Sequence, residues 1–397
     1  MSVGLAWLRC SRPRHQGVGV TDAQSNEASA GDAQPYRGGD PFADYRDTSF
    51  SFTELIDLAD RRLGGAVVAA NDEFFAEREN LLRPDPPVFD PNAFGHKGKV
   101  MDGWETRRRR GPDGAEPHVA GKEHDWALVR LGLGGIVRGM VVDTAHFRGN
   151  YPPRVSVEAA YVVGTPSVSD LLSEEVTWTP LVEPAPIAGH AANGFTVTDE
   201  RPWTHLRLRQ FPDGGIARLR VHGEPVPDPA WLAALASFDL AALEHGGIAE
   251  DASDAFFSSP NNIILPGRSR KMEDGWETRR RRDQGNDWVR LRLAAHSEVR
   301  AIELDTSYYL GNAAGWVTIS TCDATVSDPK DPASWTPIVH RSELQPDAVH
   351  RFPLEEAATA THVRADVFPD GGIARLRCFG SLTETGRTDL ERRAARE

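Results

Sequence analysis

Cysteine is scarce: the 397-residue chain carries only Cys10, Cys322 and Cys378, with no CxxC pair. That argues against a disulfide-stapled secreted scaffold and a structural zinc site, and makes a reducing cytoplasm the expected compartment. No apolar run approaches the length of a membrane span. The opening "MSVGLAWLRCSRPRHQGVGV" lacks the continuous apolar core and cleavage site of a signal peptide. Net positive charge is missing as well, since 45 Lys+Arg stand against 58 Asp+Glu, a balance of −13. Such a chain has no general attraction for nucleic acid or an anionic membrane. There is no P-loop, dinucleotide fingerprint or nucleophile elbow, and no His/Asp/Glu group at metal spacing. Chemistry, if there is any, falls to carboxylates, arginines, histidine and water.

What the sequence does have is repetition, and this decides the architecture. "DLADRRLGG" at 57–65 answers "DLAALEHGG" at 239–247, and Asp72, Phe74, Phe75 and Asn80 fall on Asp254, Phe256, Phe257 and Asn262, all shifted by 182. "DGWETRRRR" occurs at 102–110 and 274–282, shifted by 172. Asp125-Trp126, Asp143-Thr144 and Gly149-Asn150 match Asp287-Trp288, Asp305-Thr306 and Gly311-Asn312 at a shift of 162, and "FPDGGIARLR" recurs letter for letter at 211–220 and 368–377. The falling offset means that the second copy has shorter loops. The expected organisation is a disordered extension (1–40), a first repeat (41–224), a linker (225–237), a second repeat (238–385) and a charged tail (386–397).

Within each copy the dominant period is two. "DWVRLRLA" (287–294) sets Val289, Leu291 and Leu293 against Trp288, Arg290 and Arg292. "VRAIELDT" (299–306), "WVTISTC" (316–322) and "HVRADVF" (362–368) are further strand candidates. Helical pattern is confined to 52–63 and 231–246. The expected fold is all-β: two tandem jelly-roll β-sandwich domains with short helices at the start of each repeat.

The arginine runs raise the functional question. Read as a strand, "DGWETRRRR" sends Glu277, Arg279 and Arg281 to one face and Trp276, Thr278, Arg280 and Arg282 to the other. A solvated edge strand explains charge in general. It does not explain why both copies keep Asp, Gly, Trp, Glu, Thr and four arginines in order, as a site would. In "FPDGGIARLR" the turn residues are explained by a tight hairpin. Arg218 and Arg375 fit either that scaffold or an anion clamp, since arginine grips a carboxylate in bidentate fashion. His205 and His362 match across the copies and are suited to proton transfer, although a hydrogen-bonded structural role explains them equally.

"DGWETRRRR", "NDWVRLRL", "ELDTSYYLGN" and "FPDGGIARLRCFG" resemble the repeat motifs of the allantoicase family, and the resemblance runs from about 41 to 382. It implies two galactose-binding-like jelly rolls per chain, a homo-oligomer, and a hydrolase of purine (allantoin) catabolism that converts allantoate and water to ureidoglycolate and urea. Loss of urea can proceed by elimination to a carbamoyl imine followed by addition of water. This path needs a grip on the carboxylate and proton transfer to and from nitrogen and water; it calls for no cofactor, with a divalent metal left open. The expected carboxylate-binding groups are Arg107, Arg109, Arg279 and Arg281, with Arg218 or Arg375. Glu105 or Glu277 and His205 or His362 are the candidates for proton transfer, and Asp213 and Asp370 for holding ureido N–H groups. The copies are not equivalent, because His146-Phe147 stands where the second has Tyr308-Tyr309. The alternatives are a non-catalytic carbohydrate- or ligand-binding jelly-roll protein and a purely structural oligomerisation protein.

Overall fold

The computed structural model describes residues 32–35, 50–110 and 123–395. Each repeat is a two-sheet β-sandwich organised by one long strand that passes from sheet to sheet. In the first repeat this strand is Asp125–Asp143. Its first half pairs with Pro202–Phe211 on one side and Ala66–Ala70 on the other, and its second half with Ala191–Thr196 and Arg218–Pro225. Arg154–Ala160 and Thr179–Pro186 extend the first sheet. The corner is glycine-rich because backbones approach closely there: a Cβ on Gly135 would lie 2.3 Å from the Glu224 carbonyl oxygen.

The second repeat repeats the plan with Asp287–Asp305 as the crossing strand. Here Val349–Phe368 follows it through both sheets, while Ile248–Ala252 and Arg375–Leu382 flank its two halves. Trp316–Cys322 and Thr336–Glu343 complete the outer side. The strand candidates at 287–294 and 299–306 are thus one strand with irregular pairing between Arg292 and Ser297. The period-two pattern buries Val289, Leu291 and Leu293 almost completely and leaves Trp288 and Arg292 half-buried. Arg290 departs from it: it is buried, with Asp251 at 3.3 Å.

The helical stretches are shorter than their pattern suggests. Residues 52–63 form 3-10 turns at Ser51–Glu54 and Arg61–Leu63 around the short strand Ile56–Asp57. Residues 231–246 contribute most of the helix Pro229–Leu235, then the strand Phe238–Asp239 and a 3-10 turn at Leu243–His245. Aspartates explain the interruption. Asp57 accepts the backbone N–H groups of Ala59 and Val221, and Asp239 those of Ala241 and Cys378, which draws the chain into turns and away from a continuing helix.

Of the expected extension 1–40, only 32–35 are described, and they pair antiparallel with 191–194. The charged tail forms the helix Glu384–Ala394, capped by Thr383, with Leu390 fully buried. One apolar cluster runs from Trp104 and Val142 of the first repeat to Trp276 and Leu304 of the second. Cys322 and Cys378 are buried free thiols.

Candidate active site

The duplicated motifs build the same corner twice. Trp104 and Trp276 are fully buried, and each indole N–H donates to a backbone carbonyl, of Asp72 and Asp254 respectively, at 2.8 Å. The next-but-one hydroxyls, Thr106 and Thr278, accept the backbone N–H groups of Gly214 (3.3 Å) and Gly371 (3.0 Å) in the Asp-Gly-Gly turns. Gly214 and Gly371 have φ of 148° and 127°. The following glycines lie flat against an aromatic ring, so that a Cβ on Gly215 or Gly372 would meet Phe147 or Tyr309 at 2.0 Å. Only glycine fits both demands.

This scaffold presents one pair of side chains in each copy. Asn150 accepts the Gly215 N–H at its backbone oxygen (2.7 Å) and donates Nδ2–H to Glu105 Oε1 (2.7 Å). In the second copy Asn312 does the same for Gly372 (2.8 Å) and Glu277 (2.6 Å). The Glu of "WET" and the Asn of "GN" are brought together twice.

The two-face alternation does not extend to the arginines, because strand pairing ends at Trp104–Glu105 and Trp276–Glu277; Arg109 and Arg281 are half-buried and the other six are exposed. Five of them pair with the chain's own acids. Arg107 pairs with Asp72 (3.1 Å), Arg108 with Asp213 (3.1 Å), and Arg109 with Asp125 through Nε (3.0 Å) and a terminal nitrogen (2.7 Å). Arg279 pairs with Asp254 (2.6 Å), and Arg281 with Asp283 (2.9 Å) and Asp287 (2.6 Å). Asp213 and Asp370 also accept the backbone N–H groups of Arg109 and Arg281. Arg218 is 1% exposed and donates to the Asp102 carboxylate (2.8 Å) and to the carbonyls of Asp85, Asp102 and Ala217. Arg375 donates to the carbonyls of Gly267, Asp274 and Ala374.

His205 and His362 sit away from the Glu–Asn pairs. His205 is buried beside Thr204 (2.8 Å), and burial with the nearby Arg130 charge pulls its pKa down to about 4. His362 lies between Thr361 (2.8 Å) and Glu250 (3.2 Å).

A cavity of about 390 Å³ opens onto Glu105 and Asn150, with Lys97, Lys99, His146 and Arg148 among its walls. Its outer wall is an insertion. The Asp102 carboxylate accepts the Val88 N–H and the Asp274 carboxylate accepts the Arg270 N–H, each at 2.9 Å. Val88 and Asp102 are 14 positions apart, and Arg270 and Asp274 are four, so the first copy has ten extra residues here. They include the hairpin Phe94–Gly95/Gly98–Lys99. Lys99 lies over the rings of Phe89 (4.8 Å) and Phe94 (4.5 Å), and Lys97 over Phe74 (5.1 Å).

Opposite the hairpin, His146 stacks on Phe89 at 5.4 Å in left-handed backbone geometry (φ 69°), which its N–H secures by donating to His190 Nδ1 at 2.8 Å. Burial lowers the pKa of His146, as does Arg148, and the same two causes lower that of His190. Both rings are therefore neutral near pH 7. Burial raises the Glu105 carboxyl above the usual carboxylate range, against the opposing effects of the Asn150 hydrogen bond and the Arg108 charge. The cavity thus combines three cations, two neutral imidazoles close by, and one acid able to hold its proton unusually high.

In the second copy Tyr308, Leu310 and Asp347 stand at the positions of His146, Arg148 and His190, and the hairpin is missing. The backbone device survives, because Tyr308 N–H donates to Asp347 Oδ1 at 2.8 Å. The positive wall does not. Of these groups Glu105 is among those expected from the sequence, whereas Asn150, His146, Arg148, Lys97 and Lys99 are not. Asn150 was legible as part of the repeated Gly-Asn pair, and the lysines as contents of the step in offset from 182 to 172. Among the described residues, no three His, Cys, Asp or Glu side chains come together as metal ligands, and no helix is long and apolar enough to cross a membrane.

Comparison with known proteins gives a consistent result. The allantoicase-repeat family model matches residues 56–226 and 238–383. A probable allantoicase of Streptomyces coelicolor is 61% identical over 374 residues, covering 94% of this chain and 98% of that one. The allantoicase of Dictyostelium discoideum is 38% identical over 342 residues, covering 84% and 89%. The crystal structure of allantoicase from Saccharomyces cerevisiae superposes with a TM-score of 0.67 at 32% identity, covering 82% of this chain and 93% of that one.

Proposed function

We propose, for a chain that belongs to the allantoicase family, that the cavity at Glu105 is where it breaks its substrate. The protein is a hydrolase of allantoate, converting it with water to ureidoglycolate and urea. The observation that supports the assignment is that Glu105, a carboxyl whose pKa burial raises, opens onto a cavity with a positive wall that the second copy lacks. Lys97, Lys99 and Arg148 receive the substrate carboxylate, with Arg148 able to bind it through two N–H groups. Asn150 fixes Oε1 of Glu105 and leaves Oε2 for the substrate.

Glu105, protonated, donates to the departing ureido nitrogen as its bond to the central carbon breaks, releasing urea. The carboxylate so formed takes the N–H proton of the remaining ureido group as the C=N bond forms. Water then adds its oxygen to that carbon, giving its proton to Glu105 while Glu105 returns one to the imine nitrogen. The acid ends as it began. In this reading Arg107, Arg109, Arg279, Arg281, Asp213, Asp370 and Arg218 hold the corners together, and His205 and His362 serve the sheets. Arg375 belongs to a different cleft.

Glu105→Gln keeps the acceptor for Asn150 and removes the acid, so urea release should fall by about 10²–10⁴-fold with the fold retained. Turnover at the parental rate would remove Glu105 from the reaction. The path needs no cofactor, and the same assay with a chelator tests whether a divalent metal contributes. A homo-oligomer is supported by the exposed Phe256, Phe257, Tyr308 and Leu310 of the second copy, and light scattering of the purified chain measures it. A cytoplasmic location accords with the free thiols, and cell fractionation tests it.

A further inference from the structure

A second cleft, of about 400 Å³, lies where the two repeats face one another. The first repeat contributes Arg61 and Arg62 from the turn after Asp60, and the second contributes Arg268, Arg270 and Arg375; Asp274 is the sole carboxylate in its lining. Five guanidinium groups around one acid is a local reversal of a chain whose net charge is −13.

Five arginines of the Trp-Glu-Thr corners pair with acids; here the matching is sparser. Asp60 holds Arg62 through Nε (3.0 Å) and a terminal nitrogen (2.7 Å), and Arg270 lies 3.9 Å from Asp274. Neither Arg61 nor Arg268 has an acidic partner among the described residues. Arg375 is the sharper case. Its counterpart Arg218 gives one terminal nitrogen to the Asp102 carboxylate at 2.8 Å. Arg375, only 5% exposed, spends Nε and the other terminal nitrogen on carbonyls, and its remaining nitrogen makes no hydrogen bond within the described residues. A buried guanidinium without its carboxylate is unfavourable unless something else supplies the negative charge. The strain is visible in its pKa, which burial, with Arg377 nearby, pulls down to about 10.

Nor is this cluster inherited from duplication. Arg61 and Arg62 stand where the second repeat has Leu243 and Glu244, and Arg268 and Arg270 where the first has Pro86 and Val88. Four of the five cations come from positions whose repeat partners carry no positive charge, and Arg375 alone has an arginine, Arg218, as its counterpart.

We propose that this cleft binds a small, multiply charged phosphate-bearing anion, held by both repeats at once and separate from the Glu105 cavity. Guanidinium groups converging from several directions suit a tetrahedral, multivalent oxyanion better than a single planar carboxylate. The volume admits a pyrophosphate or the phosphates of a larger molecule.

The test is calorimetric titration of the full chain with inorganic pyrophosphate at low salt, with citrate and allantoate as separate arms. The expected result is one site per chain, weakened at least tenfold in Arg61→Ala/Arg268→Ala, a variant whose urea release stays at the parental rate. Glu105→Gln should bind pyrophosphate as the parent does, which keeps this outcome independent of the catalytic assignment. Absent binding, or binding that the double variant does not weaken, overturns the site. Citrate binding more tightly than pyrophosphate overturns the phosphate class, and displacement of pyrophosphate by allantoate overturns the separation of the two cavities.

Discussion

The two repeats carry the same Glu–Asn pair, on the same Trp-Glu-Thr and Asp-Gly-Gly scaffold, yet only one of them is dressed for an anionic substrate. Glu105 looks into a cavity with Lys97, Lys99 and Arg148 in its walls, whereas at the second copy's Glu277 the corresponding positions hold Leu310 and no hairpin. Duplication preserved the geometry of the corner, and ten inserted residues with three exchanged side chains separated the chemistry. In the proposed reading the repeated motif holds the corner together, and the differences between the copies mark the site.

That contrast can be broken most sharply at the positive wall. Lys97→Ala/Lys99→Ala removes two charge-assisted contacts, and KM for allantoate should rise by about 100-fold at 1.5–3 kcal/mol per contact, discounted for their solvent exposure. Steady-state urea release measures it, and an unchanged KM would leave the hairpin without a role in binding. Arg148→Leu gives the first copy the residue of the second. The expected rise in KM is about tenfold, with kcat less affected, since one charge-assisted hydrogen-bonding group is worth about 1.5 kcal/mol.

A smaller effect concerns stability. The Glu105 pKa is raised in the folded state, so its ionisation costs stability as pH rises from the ordinary glutamate range through the folded pKa. Glu105→Gln should thus gain in Tm relative to the parent as pH climbs from the ordinary glutamate range towards 7, a gain measured by thermal melts. His205 runs the other way. Its pKa is depressed to about 4, so the unfolded chain takes up the proton first on acidification. The stability of the neutral ring is lost as pH falls from about 6.5 to about 4. Replacing His205 by Gln should flatten the Tm profile over that interval, as thermal melts would show.

Much of the architecture was legible in the sequence. The alternation in "DWVRLRLA" marks a half-buried strand, and the stepped offsets mark a duplication with shortened loops. The joining of 287–294 and 299–306 into one strand was not legible, because a sheet-switching corner interrupts the very period that reveals strands. Nor were the short turns at 52–63, where an apolar helical pattern yields to Asp57 capturing the backbone N–H groups of nearby Ala59 and distant Val221. The partners of the arginine runs were not legible for a similar reason. A row of charges reads as a solvated or ligand-facing surface, and six of the eight are exposed. Yet the Arg109 side chain reaches Asp125 and its backbone N–H donates to Asp213, 104 positions away, and no local pattern announces such partners. Glu105 stood out because both copies kept it. Lys97, Lys99 and Arg148 escaped because just one copy has them, although the step in offset pointed to their loop.

The central claim is that one Glu–Asn pair is catalytic and its twin is a remnant of the fold. Urea release by Glu105→Gln and Glu277→Gln, prepared and assayed side by side, tests it most directly. The account predicts a loss of about 10²–10⁴-fold in the first and a rate within about threefold of the parent in the second. Equal losses in both, or a loss confined to Glu277→Gln, would contradict it.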